Sequence, residues 1–455
     1  MSERKTIHLC LAHMSEEGVE QKYVKEAFDT NWVVPMGPNV DAFEEELRKY
    51  VTGNDESAVY SDSRCPETNP ASWRLNEALK DTKVVCLSSG TDAVHLALLA
   101  CGVGPGDEVC VQSFTFCASS HPITYCGAKP VFIGSEKDTW NMDPVLLEEA
   151  IKDRIAKTGK KPKAIVPVAL YGMPYRINEI KEIADRYGIP VIEDAAEGMG
   201  SRYNGQVLGT FGRYGVLSFN GNKMITTSGG GALICRNEEE ANQVMWLATQ
   251  ARDSYPYYHH TAIGFNYRMS NVCAGIGRGQ MTVLNAHIAH HKHVQKMYEE
   301  LLADVPGVTV HCQPGSRFKV QMSPQPEFDS NFWLCTITLD PSVKIKGQEN
   351  AYKEVVKTAV GGVACVIHQV DSPTTDCQPN DNVEAMRVWM LNKKVECRPV
   401  WKPMHKQPIY AGTDVYTNGV EEESFKVGMC LPAGPYVSDE DVRYIVDCIK
   451  EAIVG

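Results

Sequence analysis

The chain has 455 residues and a formal net charge of −12. Because a single hydrophobic core rarely serves more than about 250–300 residues, this length predicts two domains. The negative charge argues against a surface for nucleic acid or anionic membranes, so a small molecule and a second copy of the chain are the expected partners.

Targeting and redox signals agree with a cytoplasmic protein. The first eight residues lack an apolar signal region, and no later stretch is long and apolar enough to be inserted in a membrane. The 16 cysteines are scattered through hydrophobic runs without CxxC pairs, which predicts reduced and mostly buried thiols.

The first fifty residues show apolar positions at helical spacing over 16–28 and 40–50. The turn-rich segment 31–38 connects these predicted helices. The stretch 54–82 is polar and irregular, and we assign no chemistry to it.

A short apolar strand from Lys83 leads into a predicted helix that begins near Ser89-Gly-Thr-Asp92. Free amides at a helix start, together with the helix dipole, form an anion site, here at Gly90, Thr91 and Asp92. Ordinary N-capping by Thr91 or Asp92 explains the same residues without a ligand, and both interpretations stay open.

Strands then alternate with helices, which predicts a mostly parallel sheet covered on both faces. Ligands of such sheets bind beyond the carboxyl ends of the strands. Three groups therefore converge at one edge: the helix start after the first strand, Phe116 at the end of the second, and Asp194 near the end of the strand predicted at 190–197. The predicted strands are 83–87, 109–116, 129–133, 164–171 and 190–197, and the predicted helices are 118–126 and 177–187.

The segment Ser218-Phe-Asn-Gly-Asn-Lys-Met-Ile-Thr-Thr-Ser-Gly-Gly-Gly231 places one lysine, Lys223, among glycine, hydroxyl and amide groups. The glycines allow a close approach of the backbone, and Ser218 and Asn220 supply hydrogen-bonding groups. A lysine in such surroundings suits Schiff-base chemistry. A glycine-rich hairpin with an exposed lysine is the alternative. The reactive lysine is favoured if Lys223 lies at the same edge of the sheet as the three groups above.

Beyond the lysine, helices are predicted over 238–252 and from Val272, after a turn at 264–271. The spaced glycines of the second helix indicate close helix packing rather than a nucleotide loop. The nearby histidines predict a solvated helix face, because no cysteine or acid completes a metal ligand set. The glycines are Gly275, Gly277 and Gly279, and the histidines are His287, His290, His291 and His293.

The last third of the chain predicts a smaller α+β domain, with a large domain over 1–290 and the small domain over 291–455. Its elements are a strand at 331–339, a helix at 383–392, a strand entering a basic aromatic turn at 394–405, and a closing helix at 439–453. The loop 361–381 carries no interpretable signal.

Four groups expected at one edge specify a ligand: an anion at Gly90 and Thr91, a flat ring on Phe116, a cationic ring nitrogen at Asp194, and an aldehyde at Lys223. Pyridoxal 5'-phosphate has all four features, and its protonated ring nitrogen needs a carboxylate to serve as an electron sink.

The chain resembles the DegT/DnrJ/EryC1/StrS family of sugar aminotransferases, which have the fold type I architecture. The likeness covers most of the chain, from 31 to 281 and from 396 to 434. Its motifs are Ser89-Gly-Thr-Asp-Ala, Gln112-Ser-Phe-Thr-Phe, Leu170-Tyr-Gly-Met-Pro, Glu193-Asp-Ala-Ala-Glu, Ser218-Phe-Asn-Gly-Asn-Lys and Gly264-Phe-Asn-Tyr-Arg-Met. The resemblance implies a large domain with a mostly parallel seven-stranded sheet and a smaller C-terminal α+β domain.

The resemblance also implies roles for individual residues. Lys223 would bond to the cofactor and shuttle protons, Asp194 would pair with the ring nitrogen, and Phe116 would stack on the ring. Asn266 would reach the phosphate of the neighbouring subunit, which implies a homodimer with shared active sites. Phosphate would be bound by Gly90, Thr91, Asp92 and Ser218, and Asn220 and Glu197 would complete the cofactor site.

Two positions refine this assignment. Glu197 stands where many relatives have glutamine or histidine, so this chain departs from the family pattern there. Lys223 stands where the dehydratases of the family have histidine, which implies that this chain transaminates.

The substrate implied by the resemblance is a UDP-4-keto-6-deoxy-N-acetylhexosamine, aminated at C4 with L-glutamate as donor, for surface glycan or glycoprotein biosynthesis. Arg398 and Lys402 would meet its diphosphate, and Trp401 or His405 its sugar or base. Trp401 as a core residue and Lys402 as a solvated one is the alternative. Amination at C3, a dTDP-sugar, and a non-catalytic regulator that binds pyridoxal phosphate also stay open.

Overall fold

The computed structural model describes residues 4–53, 76–315, 327–353 and 377–454. The irregular stretch predicted at 54–82 and the loop predicted at 361–381 lie mostly outside the described residues. The helices are α1 Val19–Asp29, α2 Pro38–Thr52, α3 Gly90–Ala100, α4 His121–Tyr125, α5 Pro144–Thr158, α6 Ile177–Tyr187, α7 Glu238–Ala248, α8 Asn271–Met281, α9 Leu284–Leu302, α10 Asp381–Asn392, α11 Val420–Val427 and α12 Asp439–Ala452.

The strands are short. They are β1 Lys83–Leu87, β2 Glu108–Gln112, β3 Lys129–Ile133, β4 Ala164–Val166, β5 Ile192–Asp194, β6 Arg202–Tyr203, β7 Gln206–Val207, β8 Tyr214–Ser218, β9 Gly231–Cys235, β10 Val308–Val310, β11 Phe328–Asp329, β12 Cys335–Leu339, β13 Lys344–Ile345, β14 Arg398–Pro399, β15 Val415–Tyr416, β16 Gly428–Leu431 and β17 Ile453–Val454.

Seven strands form the large sheet in the order β1-β9-β8-β5-β4-β2-β3. Parallel bridges from Ile165 to Val191 and from Val168 to Asp194 join its two halves. Only β9 runs antiparallel to its neighbours, so the predicted mostly parallel seven-stranded sheet is confirmed. The C-terminal strand β15 extends the edge beyond β3.

In the large sheet, several predicted strand limits were too long, and two strands, β8 and β9, were not predicted. The strand predicted over 164–171 ends at Val166, because Leu170–Gly172 forms a 3-10 turn in which Tyr171 has a φ of 54°. Strands β8 and β9, which flank the lysine loop, are short apolar runs without the alternation that identifies a half-buried strand.

Alternate side chains of the large sheet enter two separate hydrophobic clusters, as the pleat requires. In β2, Cys110 packs with helices α5 and α6, whereas Val109 and Val111 pack with α3 and α7. Helices therefore cover both faces, which is why these strands are apolar throughout.

A second, antiparallel sheet has the order β10-β12-β16-β14 and lies in the C-terminal third. Its cluster joins β12 and β16 to α9, α10 and α12, and it also takes in Ile7 from the N-terminal segment. The domain boundary predicted at residue 290 lies within α9 and stays a prediction. Along the described ranges, no helix has both the length and the hydrophobicity of a membrane span.

The glycines of α8 mediate close packing, as predicted. A Cβ atom at Gly277 would lie 2.6 Å from the ring of Phe43 in α2, and one at Gly279 would lie 2.6 Å from the backbone nitrogen of Glu20 in α1. Helices α1 and α2 can therefore approach α8 only because these positions lack side chains.

The prediction of a solvated histidine face on α9 was wrong for His287 and His291, which are 5% and 1% exposed. His287 Nδ1 donates to the carbonyl oxygen of Met224 at 3.2 Å, and His291 Nδ1 donates to that of Phe332 at 3.0 Å. Burial lowers the pKa of His287 to about 4 and that of His291 to about 3. Both rings are neutral hydrogen-bond donors, and the described residues contain no cluster able to hold a metal ion.

Candidate active site

Asp194 lies at the carboxyl end of β5, at the edge of the large sheet where ligands of parallel sheets bind. Its Oδ2 accepts a hydrogen bond from Ser119 Oγ at 2.6 Å, and its Oδ1 accepts one from the amide of Ala196 at 3.1 Å. Burial raises the pKa of this carboxyl, and the charge of Lys223 is among the influences that lower it. Lys223 Nζ lies 3.3 Å from Glu197 Oε1, three residues after Asp194, so the acid and the lysine lie at the same edge of the sheet.

Lys223 lies in the loop that connects β8 to β9, with its side chain 13% exposed. Its Nζ is 3.3 Å from Glu197 Oε1 and 4.0 Å from the centroid of the Trp333 ring. The amine is thus enclosed by a carboxylate and an aromatic face, which rules out the alternative of a hairpin with an exposed lysine.

Glu197 lies three residues after Asp194 and is also buried. Its Oε2 accepts a hydrogen bond from the amide of Tyr171 at 2.7 Å, so its position is fixed by backbone. Burial raises the pKa of Glu197, whereas the positive charge of Lys223 lowers it. The position at which this chain departs from the family pattern is thus in direct contact with the lysine.

The start of helix α3 lies directly beside the end of β8. A Cβ atom at Gly90 would be 3.0 Å from the Cβ of Ser218, so any larger residue here would crowd the end of β8. The helix is capped by Ser89, whose Oγ accepts from the amide of Asp92 at 3.0 Å, and not by Thr91 or Asp92. The first amides of α3 and the Ser218 hydroxyl form a cradle of the kind that binds phosphate.

The Asp92 carboxylate accepts a hydrogen bond from Ser88 Oγ at 2.5 Å. This contact directs Asp92 toward the loop before the helix.

An aromatic wall flanks the same edge. Phe116 is 49% exposed, and its ring centroid is 5.4 Å from that of Trp401. Trp401 lies nearly parallel to Tyr171 at 6.2 Å, and its backbone amide donates to the Tyr171 hydroxyl at 2.8 Å. The chain segment after β14 therefore closes one side of the site.

The other predicted substrate residues have defined surroundings. Arg398 donates two hydrogen bonds to Glu396 Oε1, at 2.8 and 3.1 Å, and its side chain is 45% exposed. Lys402 is half-buried. The His405 side chain is 5% exposed, with Nδ1 2.6 Å from Ser113 Oγ and Nε2 3.1 Å from Glu422 Oε1, so both ring nitrogens are engaged.

Two further predicted cofactor residues are exposed, and the carbonyl oxygen of one of them, Asn220, accepts a hydrogen bond from the amide of Lys223 at 2.9 Å. Asn220 is exposed, and its Nδ2 donates to Asn222 Oδ1 at 3.3 Å. Asn266 is also exposed, one residue before Tyr267, whose carbonyl oxygen accepts from the amide of Ser88 at 2.8 Å. Asn266 thus lies near the start of α3 along the chain's own surface.

Sequence reasoning missed three residues that contact the acid or the lysine loop: Ser119, Trp333 and Cys10. Ser119 had a usable signal, because it follows Phe116 by three residues in a predicted helical segment. Trp333 and Cys10 had none, because they are 111 and 212 positions away from Asn222, the residue that each of them contacts.

These residues fit pyridoxal 5'-phosphate. A buried carboxylate, Asp194, suits a cationic ring nitrogen, an enclosed amine suits an aldehyde, and the glycine cradle at Gly90 suits a phosphate.

The comparisons with known proteins agree with this geometry. The model of the DegT/DnrJ/EryC1/StrS aminotransferase family matches residues 66–368 and 348–450. EpsN of Bacillus subtilis, whose name assigns it to the pyridoxal phosphate-dependent aminotransferases, is 37% identical over 452 residues, covering 98% of this chain and 95% of its own.

Two further relatives have names that specify nucleotide sugars. GDP-perosamine synthase of Caulobacter vibrioides is 30% identical over 438 residues, covering 96% of both chains. UDP-2-acetamido-2-deoxy-3-oxo-D-glucuronate aminotransferase of Pseudomonas aeruginosa is 35% identical over 241 residues, covering 53% of this chain and 65% of its own.

Among solved structures, a DegT DnrJ EryC1 StrS aminotransferase from Brucella abortus superposes with a TM-score of 0.74 at 23% identity, covering 96% of this chain and 95% of its own. This likeness shows a shared fold, and the predicted fold type I architecture is confirmed.

Proposed function

We infer the function from one premise: this chain belongs to the DegT/DnrJ/EryC1/StrS aminotransferase family. It is an enzyme, a sugar aminotransferase dependent on pyridoxal phosphate. We propose that it transfers the amino group of L-glutamate to a nucleotide-linked keto sugar. The observation that carries the proposal is the enclosure of the Lys223 amine by Glu197 at the edge where Asp194 is buried.

We assign the cofactor contacts as follows. Asp194 would pair with the ring nitrogen, its carboxylate oriented by Ser119 through the 2.6 Å hydrogen bond. Lys223 would bond to the aldehyde, and Phe116 would cover one face of the ring. Gly90, Thr91 and Ser218 would hold the phosphate, with Asp92 and Asn220 at its border.

When bound, pyridoxal phosphate supplies an aldehyde for the donor amine and a ring that withdraws electrons from the reacting carbon. Once the donor amine had displaced it from the aldehyde, Lys223 would act as general base toward the α-carbon proton of the amino acid and as general acid returning that proton to the former aldehyde carbon. Glu197, 3.3 Å from the Lys223 amine, would hold that amine in place.

We propose that the acceptor is a UDP-4-keto-6-deoxy-N-acetylhexosamine, aminated at C4 for surface glycan or glycoprotein biosynthesis. Arg398 and Lys402 are cations on the segment that closes the site, which suits a diphosphate. Trp401 offers an aromatic surface for the sugar or base beside Phe116. We give His405 the task of orienting this segment, because both of its ring nitrogens are engaged by protein groups.

Amination at C3 is the second candidate. It is favoured by the similarity to a relative whose name specifies a 3-oxo sugar linked to UDP. The two candidates differ in the position of the keto group that accepts the amine, so offering both kinds of keto sugar in one assay separates them.

The test follows the visible absorbance band of the cofactor-loaded protein. L-glutamate should abolish the band, and the accepted keto sugar should restore it, with the aminated carbon identified by NMR of the product. UDP-4-keto, UDP-3-keto, dTDP-4-keto and GDP-4-keto sugars are offered in parallel. A band that L-glutamate leaves unchanged would indicate a pyridoxal phosphate-binding regulator instead.

Variants of Lys223 supply the control. Lys223→Ala and Lys223→Arg should lose both half-reactions, because neither provides an amine able to bond and transfer protons at that point. Turnover in either variant would contradict the role of Lys223.

We further propose that the functional unit is a homodimer in which Asn266 of one subunit reaches the phosphate site of the other. Mixing Asn266→Asp with Lys223→Ala subunits, each inactive alone, should restore about a quarter of the native activity through hybrid dimers with one intact site. Activity that stays absent after subunit exchange would contradict shared sites. A cytoplasmic location stays a prediction.

A further inference from the structure

Trp333 reaches the lysine loop from the C-terminal sheet. It precedes β12 by two residues and is 1% exposed. Its indole Nε1 donates to the carbonyl oxygen of Asn222 at 2.6 Å, and its ring lies 4.0 Å from Lys223 Nζ. One side chain therefore contacts both the backbone before the lysine and the amine at its end.

The residues on either side of Lys223, Asn222 and Met224, both have carbonyl oxygens that accept hydrogen bonds from side chains outside the loop. The Asn222 oxygen also accepts from Cys10 Sγ at 2.9 Å, and the Met224 oxygen accepts from His287 Nδ1 at 3.2 Å. A thiol is a weak donor, so the indole provides the stronger of the two contacts at Asn222.

Trp333 is itself fixed to the end of β5. The Asn331 side-chain oxygen accepts from the amide of Trp333 at 2.8 Å, and its nitrogen donates to the carbonyl oxygen of Glu197 at 2.9 Å. The two groups that contact the Lys223 amine, Glu197 and Trp333, are therefore joined through Asn331.

We propose that Trp333 is a positioning residue for the chemistry of Lys223: the indole N–H fixes the backbone before the lysine, and the ring face fixes its amine. The proposal rests on the proposed function of Lys223. Proton transfer needs the amine within hydrogen-bonding reach of the reacting carbon, and small displacements of a catalytic group lower the rate strongly. A protonated amine is also attracted to an aromatic face at this distance.

Two variants separate the two contacts. Trp333→Phe keeps an aromatic ring and removes the N–H, whereas Trp333→Leu removes both. Trp389→Phe is the matched control, because its indole also donates to a backbone carbonyl, that of Cys448 at 3.0 Å, and lies beside two lysines, Lys346 and Lys393. Trp389 belongs to the cluster of the C-terminal sheet rather than to the site.

Three measurements on the full-length, cofactor-loaded protein test the proposal. We expect kcat of Trp333→Phe to fall by about fivefold to tenfold with KM nearly unchanged, the effect of one lost hydrogen bond. Trp333→Leu should lose about tenfold more. Amide hydrogen exchange over residues 219–226 should accelerate in both variants, and borohydride trapping of the cofactor on Lys223 should slow.

Trp389→Phe should change none of the three measurements, even if its thermal midpoint falls. Unchanged kcat and exchange in Trp333→Phe, or equal losses in Trp389→Phe, would overturn the proposal. Hydrogen exchange and trapping do not require turnover. If the native protein fails to transaminate, the proposed function fails while these two measurements still decide the role of Trp333.

Discussion

Glu193 and Asp194 are neighbouring buried acids whose side chains lie on opposite faces of one strand. Asp194 faces Ser119 and the lysine site. Glu193 Oε2 accepts from the amide of Phe211 at 3.0 Å, and burial raises the pKa of Glu193 to about 7. Alternation along the strand thus gives two identical functional groups different tasks.

Replacing Asp194 by Asn should reduce kcat by at least about a hundredfold, because removing one member of a buried charge pair costs about 3 kcal/mol or more. The affinity for pyridoxal phosphate should also fall. Glu193→Gln is the matched control and should retain activity. Steady-state kinetics and a cofactor titration check both variants, and equal losses would contradict the assignment of Asp194.

Glu193 should also shape the dependence of stability on pH. Its folded pKa of about 7 is above the ordinary value of 4.5, so the folded state binds more protons between these values. The stability it contributes is therefore present below pH 4.5 and is lost as pH rises through 7. Thermal midpoints at pH 5 and pH 8 should differ less in Glu193→Gln than in the native protein, and an unchanged difference would contradict the raised pKa.

At the scale of elements, helix α8 is the surface on which the N-terminal helices pack. Gly279 meets the backbone of Glu20, which cannot move aside as a flexible side chain can. Glu20 is also anchored, because its Oε1 accepts from Gln280 Nε2 at 2.7 Å. The packing of α1 on α8 is therefore tight at this point.

Gly279→Ala should destabilise the protein by about 1–3 kcal/mol, because the cost of overpacking exceeds the gain in helix propensity. Gly104→Ala is the control, since a Cβ there meets nothing within 4 Å and no positive φ has to be kept. The denaturant midpoint of Gly279→Ala should be clearly lower than that of Gly104→Ala. Equal midpoints would show that α1 can move away from α8 at little cost.

At the scale of the whole molecule, one buried side chain joins the two sheets. Asn331, just before β12, donates to the carbonyl oxygens of Glu197 and Met199, both at 2.9 Å, and a Cβ at Gly172 would overlap it. The N-terminal segment adds a second link, because Ile7 pairs with Val395 while Cys10 contacts Asn222. Hydrogen bonds therefore connect the start of the C-terminal sheet to the chain after β5 and to the lysine loop.

Asn331→Ala should lower stability by about 2–4 kcal/mol, since it leaves buried carbonyl groups without donors. It should also lower kcat, because Trp333 loses the side chain that holds its amide. Asn350→Ala is the control, since the Asn350 side chain is exposed and, within the described part of the chain, forms hydrogen bonds with its near neighbours Glu349 and Lys353. If the denaturant midpoint of Asn331→Ala were unchanged, the proposed contribution of Asn331 to the contact between the two sheets would be contradicted.

The parallel architecture, the acid at the end of β5 and the lysine between the glycines were all predictable from sequence. Strand ends, turns and helix starts are local features, and the rule that ligands bind at one edge of a parallel sheet then brings Asp194, Lys223 and Gly90 together. The limits of β4 and the existence of β8 and β9 were not predicted, because periodicity alone neither separates a short buried strand from a helical segment nor fixes where it ends.

The surroundings of the lysine were decided by tertiary structure alone. His287 and His291 have the polarity of surface residues, yet α9 packs between the lysine loop and the C-terminal sheet and buries them. Trp333 lies 111 positions from Asn222, and Cys10 lies 212 positions from it. Contacts over such separations depend on how whole elements pack, which no local pattern of residues records.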